Sequence, residues 1–145
     1  MTVATASQLE RSLHLTNAWL ERLEDIGGFE GQDRSYSVLK AALQTLRDRL
    51  TVDESADLAA QLPLIVRGMF FESWKPARTP QKFRAARDMV DHFQQHLGRG
   101  DNVDPEQALR SVFQLLEERI TEGEIQDVRL MLNKDIANEL WPRES

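Results

Sequence analysis

The chain has 145 residues, a formal net charge of −6 and no cysteine. This length fits a single domain over residues 1–145, and the missing thiols exclude disulfides, cysteine nucleophiles and thiolate metal sites. The acidic balance argues against general nucleic-acid binding, and without a membrane-spanning run or a secretion signal we expect a cytoplasmic protein that does not bind membranes.

Four helices are predicted in the first half of the chain. The first has apolar residues at helical spacing, and a loop rich in glycine and aspartate follows it. The second has one apolar stripe, formed by Tyr36, Leu39, Leu43, Leu46 and Leu50. Thr51 and Glu54 match a capping box that starts the third helix, and Pro63 precedes a fourth helix over Leu64–Ser73.

Four helices are also predicted in the second half. Its long helix has the apolar stripe Leu109, Phe113, Leu116 and Ile120. Thr79-Pro80 and Asp104-Pro105 are predicted to start its first two helices. A second capping box, at Thr121 and Glu124, starts the third helix. Asn133 starts the last helix, which is predicted over Lys134–Trp141. No strand-like alternation competes with these helices, so the sequence predicts an all-α fold.

The two halves repeat one residue pattern at an offset of 70 residues. Polar identities at this offset include Arg49 and Arg119, Thr51 and Thr121, Glu54 and Glu124, and Asp57 and Asp127. A shared helical pattern would align leucines but would not align these polar residues as well. We interpret the pattern as an internal duplication, a helical bundle of two tandem pseudo-repeats over about 7–74 and 79–141, packed as one domain.

Three segments carry a resemblance to a known family: TNAWLERL, YSVLKAALQTLRDRLTVDESADLAAQLPLIVRGMFFESW and VDPEQALRSVFQLLEERITEGEIQDVRLMLNKDIANELWP. Over nearly the whole chain, the sequence resembles the bacterial domain-of-unknown-function family numbered 2267. The resemblance implies an all-helical fold and assigns no activity or catalytic residue. Members of that family usually have proline where this chain has Asn133.

Three residues of one predicted helix could bind a metal. Asp88, His92 and His96 lie at i, i+4 and i+8, and two imidazoles with a carboxylate are metal ligands. The apolar residues of this helix leave His96 at the flank of the core side and turn His92 toward solvent. We therefore favour a solvated face and expect no cofactor, and a metal-dependent enzyme using His92 and His96 is one alternative.

A basic stretch connects the two halves. Its cations, with no acidic residue between Glu72 and Asp88, are Lys75, Arg78, Lys82, Arg84 and Arg87. Clustered cations beside an aromatic residue could bind a phosphate-bearing ligand or single-stranded nucleic acid. The other interpretation is a solvated connector, which the net charge of −6 favours.

Two further residues are candidates for an interface. Trp74 has no aromatic counterpart at the 70-residue offset, so we expect it at a surface or a subunit contact. Arg67 is flanked by apolar residues, and we expect it to pair with a carboxylate, in keeping with an interface position.

The sequence contains no Gly-rich phosphate loop, nucleophile elbow or zinc-protease helix. The leading hypothesis is a non-catalytic interaction or regulatory module that associates with itself or with a protein partner. A weak binder of anions or nucleic acid through residues 75–87 is the first alternative, and the metal-dependent enzyme is the second.

Overall fold

The computed structural model describes residues 3–143, which form eight α-helices and no strand. The helices are α1 Val3–Gly27, α2 Gln32–Arg49, α3 Val52–Ala59, α4 Leu64–Phe71, α5 Ala86–His96, α6 Pro105–Arg119, α7 Glu122–Met131 and α8 Lys134–Leu140. A short 3₁₀ turn, Pro76–Arg78, lies in the connector between α4 and α5. The predicted all-α fold is confirmed. Within the described residues, no helix is both long and apolar enough to cross a bilayer.

The predicted stripes of the two long helices are buried. Leu39, Leu43, Leu46 and Leu50 on α2 and just after it are fully buried, as are Leu109, Phe113 and Leu116 on α6. Tyr36 was wrongly included in the first stripe, since it is 40% exposed near the start of α2. Buried residues from both halves of the chain form one apolar core. The duplication itself stays an interpretation of the sequence.

Helices from one half of the chain pack on helices from the other. α1 packs against α2 and also against α6, while α5 packs against α6 and also against α2. α2 and α6 therefore each lie between a helix of their own half of the chain and a helix of the opposite half. This arrangement brings residues of α5 against the C-terminal turn of α2.

The predicted helix starts at the threonines are correct, but only the first has a complete capping box. The Thr51 hydroxyl accepts the Glu54 amide, and the Glu54 carboxylate accepts the Thr51 amide in return. At the second start Thr121 accepts the Glu124 amide, but the Thr121 amide donates to Gln61 Oε1 at 2.9 Å. Gln61 takes the place of the returning glutamate and links α7 to the end of α3.

The predicted start of α5 at Thr79-Pro80 is wrong. Residues 79–85 run without helix, because the connector is bonded to the end of α2. The Gln81 amide donates to the Asp48 carbonyl at 2.7 Å, and Arg49 donates to the Gln81 carbonyl at 3.1 Å. The predicted starts at Asp104-Pro105 and Asn133 are confirmed by side-chain bonds to backbone amides.

Candidate metal centre

The site lies where the last turn of α2 meets α5. Asp48 is the penultimate residue of α2, and His92 and His96 lie one turn apart on the same side of α5. His92 Nε2 lies 2.7 Å from Asp48 Oδ2, and His96 Nε2 lies 3.0 Å from the same oxygen. The two Nε2 atoms are 3.3 Å apart. Three potential ligand atoms therefore converge on one point.

These side chains are shielded from solvent without being sealed off. The exposed fraction is 10% for the Asp48 side chain, 15% for His92 and 23% for His96. Phe83 packs beside His92, with ring centroids 5.2 Å apart. The prediction that His92 turns toward solvent is therefore wrong. The histidine pair faces Asp48 because α5 lies directly on the end of α2.

Arg47 holds the Asp48 carboxylate from the other side. Its Nε and Nη2 atoms donate to Asp48 Oδ1 at 3.0 and 2.9 Å, and its side chain is only 3% exposed. Its Nη1 atom donates to the carbonyls of Phe70 and Glu72, where α4 ends. Arg47 therefore fixes Oδ1 and leaves Oδ2 for the histidines, which is how an outer residue orients a metal ligand.

Asp48 is a carboxylate at any ordinary pH. Burial alone would raise its pKa, but hydrogen bonds from His92, His96 and Arg47, together with the Arg47 charge, hold the pKa well below its usual range. A carboxylate in the last turn of a helix lies at the negative end of the helix dipole, which is unfavourable unless cations are close. The site therefore favours a positive charge beside Oδ2.

The C-terminal ends of three helices meet here, which strengthens that preference. α2 ends at Arg49, α4 at Phe71 and α5 at His96, and the last turn of a helix is its partly negative end. Arg47 neutralises the end of α4 through its bonds to Phe70 and Glu72. The ends of α2 and α5 lie beside the Asp48–histidine group.

The three ligand atoms fit a first-row divalent metal. At metal–ligand bonds of about 2.0–2.2 Å, neighbouring ligand atoms lie roughly 3.0–3.5 Å apart. Oδ2 and the two Nε2 atoms lie 2.7, 3.0 and 3.3 Å from one another, so two of the separations fall in this range and the His92–Asp48 pair would have to open by about 0.3 Å. In the described residues, they form the one group of three or more such side chains with this proximity. Two histidines and a carboxylate would leave further coordination positions open.

An open cleft of about 260 Å³ leads to the three residues. Its wall includes Lys75 and Arg78 from the connector, along with Arg47. The other three cations of the basic stretch, Lys82, Arg84 and Arg87, are exposed and do not line it. The structure thus divides the predicted anion-binding residues into two that face the cleft and three that lie elsewhere on the surface.

Asp88 was the carboxylate of the alternative metal hypothesis, but the acidic side chain that contacts His92 and His96 in the structure is Asp48. Asp88 lies in the first turn of α5, where its Oδ2 atom accepts the amides of Arg84 and Ala85 at 2.9 and 3.1 Å. It is two turns from His96, about 12 Å along a helix, which is too far for a shared ion. The spacing correctly places the two histidines side by side, but Asp88 is not the acid beside them.

The two interface candidates have intramolecular contacts. Arg67 donates to the carbonyls of Ala59 and Leu62, so the predicted pairing with a carboxylate is wrong. It bonds the carbonyls at the end of α3 rather than a charge. Trp74 is half-buried, and its ring centroid lies 5.0 Å from that of Phe71. Whether either residue forms a subunit contact stays a prediction.

Sequence reasoning missed Asp48 and Arg47. Every residue from Ala41 to Asp48 is buried, so α2 is enclosed on all sides over this stretch. An adjacent arginine and aspartate in a helix buried all round need internal partners. This pair of residues could have indicated a buried site only if both faces of α2 were known to be covered. The apolar stripe alone does not show that.

The protein is all-helical, and Asp48, His92 and His96 form a potential set of metal ligands between two of its helices. A family model described as "Uncharacterized conserved protein (DUF2267)" matches residues 16–138. The chain belongs to this family, as the sequence resemblance had indicated. A search of curated proteins finds no match.

Proposed function

We propose that this protein binds a divalent transition metal through Asp48, His92 and His96. The observation that carries the proposal is the mutual approach of Asp48 Oδ2 and the two Nε2 atoms, at 2.7–3.3 Å. Imidazole nitrogen with one carboxylate oxygen suits zinc, iron, cobalt or nickel better than magnesium or calcium. Since the chain has no cysteine, a thiolate centre is excluded.

The surroundings support a bound ion over a simple hydrogen-bonded group. If both histidines donate to Oδ2, two N–H groups point at one oxygen while their nitrogens are 3.3 Å apart. A metal would take the place of the two N–H protons, and both nitrogens would then donate electron pairs to one cation at this same spacing. Arg47 keeps Oδ1 occupied, so the carboxylate presents one oxygen in a fixed direction.

The direct test is zinc binding by the purified, untagged chain after treatment with a chelator. We expect one zinc per chain by metal analysis and by calorimetry. His92→Gln with His96→Gln should abolish stoichiometric zinc, and Asp48→Asn should weaken binding by at least about tenfold. Circular dichroism checks that each variant is folded.

His14→Gln is the matched control, because His14 is the remaining histidine of the chain and lies on α1, apart from the site. It should bind zinc as the unaltered protein does. A folded chain that binds no zinc, iron, cobalt or nickel would refute the proposal. So would zinc binding that survives both site variants.

The self-associating interaction module stays a prediction, and so does a cytoplasmic location. Sedimentation velocity across a hundredfold range of protein concentration tests self-association directly. A sedimentation coefficient that rises with concentration would support it. A constant monomer value would leave a different protein partner as the remaining form of that hypothesis.

A further inference from the structure

We infer that the cleft binds a phosphate group, held jointly by the metal, Lys75 and Arg78. The inference rests on the proposed metal site and names the ligand that would complete it. It applies to free phosphate or to the phosphate end of a small monoester. It does not extend to a nucleic-acid strand.

The charges of the residues that line the cleft favour the binding of an anion. Among the described residues that line the cleft, Arg47, Lys75 and Arg78 are cationic and Asp48 is the one carboxylate. Asp48 has no capacity left, because Oδ1 is held by Arg47 and Oδ2 by the histidines or their metal. A divalent ion would add two further positive charges, which an anionic ligand at an open coordination position would offset.

Lys75 and Arg78 are available to provide the remaining contacts. Both side chains are exposed, and in the described part of the chain neither has a salt bridge to a carboxylate. A guanidinium can donate two parallel hydrogen bonds to phosphate, and an ammonium adds a compact charge. Arg47 cannot provide such a paired contact, since four of its five N–H donors are already bonded to Asp48 and to the end of α4.

The connector is held in place at the cleft. Its Gln81 amide bonds the Asp48 carbonyl, and the Thr79 hydroxyl donates to the Pro76 carbonyl at 2.9 Å. The two cations therefore lie on a backbone fixed to the same turn of α2 that carries the metal ligand. This reduces the ordering cost of binding a ligand between them.

The size of the cleft limits the ligand. A volume of about 260 Å³ is below that of pockets for drug-sized molecules, which begin at roughly 300 Å³. Lys82, Arg84 and Arg87 do not continue the cleft into a charged track, and the chain has a net charge of −6. A small phosphate therefore fits better than a polyanion.

The test uses zinc-loaded protein freed of excess zinc, titrated in separate calorimetric experiments with inorganic phosphate and with phenyl phosphate. We expect both to bind to the zinc form and neither to the metal-free form. Tighter binding of phenyl phosphate would indicate a monoester as the natural ligand, and tighter binding of inorganic phosphate would indicate the free ion.

Lys75→Gln with Arg78→Gln should keep one zinc per chain but weaken phosphate binding by about tenfold or more, the usual effect of losing a hydrogen bond to a charged group. Lys82→Gln with Arg87→Gln removes the same charge outside the cleft and should change the affinity much less.

The outcomes separate the two proposals. Zinc binding without phosphate binding, or equal weakening by both pairs of substitutions, would overturn the phosphate inference and leave the metal site intact. Absence of zinc binding would refute the proposed function. Phosphate binding to the metal-free protein would overturn the inference, since the cations would then suffice alone.

Discussion

Two contacts between opposite halves of the chain occupy matching positions and differ in chemistry. His92 of α5 meets Asp48 of α2, and Arg22 of α1 meets Glu118 of α6. His92 is 70 residues after Arg22, and Glu118 is 70 residues after Asp48. Arg22 and Glu118 form a two-bond ion pair at 2.8 and 2.7 Å, with 39% and 35% of their side chains exposed.

The neighbouring residues account for the difference. His96, which completes the group on α5, corresponds by offset to Ile26, which packs against the core. Arg47 corresponds to Glu117, whose carboxylate accepts the Trp141 indole N–H at 2.8 Å. One position thus holds a surface ion pair and the other a largely shielded aspartate–histidine group. The two helix contacts are similar, and the types of residue at the contact decide whether an exposed ion pair or a shielded aspartate–histidine group forms.

The largest expected difference between the two contacts is in stability. Asp48→Ala leaves the Arg47 guanidinium buried without its carboxylate, a loss that typically costs about 3–5 kcal/mol of unfolding free energy. Glu118→Ala should cost far less, because both members of that pair are exposed to solvent. Urea denaturation with a chelator present measures both. Equal losses would mean that the burial of Asp48 has no energetic consequence.

The contribution of Asp48 to stability should also depend on pH. The folded pKa of Asp48 lies below its unfolded value of about 3.9, so its stabilising effect is complete above that pH and is lost as the pH falls below it. The stability gap between the unaltered chain and Asp48→Asn should therefore narrow below pH 4, by up to about 1.4 kcal/mol per pH unit. Urea denaturation of metal-free protein from pH 6 to 3 tests this. A gap that widens below pH 4 would contradict the assigned direction.

A third comparison concerns the two threonine caps. Thr51→Ala and Thr121→Ala should each lower the unfolding free energy by about 1 kcal/mol. Gln61→Ala should lower it as well, and by less when residue 121 is already alanine, because the bond to the Thr121 hydroxyl is then gone while the bond to the backbone amide remains. A double-mutant cycle in urea denaturation measures this coupling. Additive effects at positions 61 and 121 would show that the bond between Gln61 and the Thr121 hydroxyl does not contribute to stability.

The smallest effect is expected at the exposed ion pair. Arg22→Gln should lower the unfolding free energy only slightly, and the loss should shrink as sodium chloride is raised from 0.1 to 1 M, because salt screens exposed charges. Asp48→Ala should retain most of its effect at high salt. A loss at Arg22 that is insensitive to salt would indicate a packing role for its side chain.

The fold could be predicted from the sequence because its determinants are local. Apolar residues at helical spacing mark the buried side of α2 and α6, and Thr51, Thr121, Asp104 and Asn133 mark helix starts through bonds to amides two or three residues away. The start of α5 was misplaced because Pro80 suits a helix N-terminus, whereas a distant contact, from Gln81 to the Asp48 carbonyl, holds the connector extended.

The candidate site could be predicted only in part, for a related reason. The two histidines are four residues apart on one helix, so their spacing is visible in the sequence. Asp48 is 44 residues from His92 and reaches it only through the packing of α5 on α2. Asp88 was chosen because it is near in sequence, and a carboxylate in the first turn of a helix bonds that helix's own amides instead.

The packing of α1 on α6 and of α5 on α2 also constrains how the chain folds during synthesis. When the ribosome has completed α4, the buried face of α2 still lacks α5, and α1 still lacks α6. Leucines that end in the common core remain open to water until about residue 119 has emerged. The first half therefore emerges with apolar surface that has no partner yet, and the common core can close only after α5 and α6 have followed it.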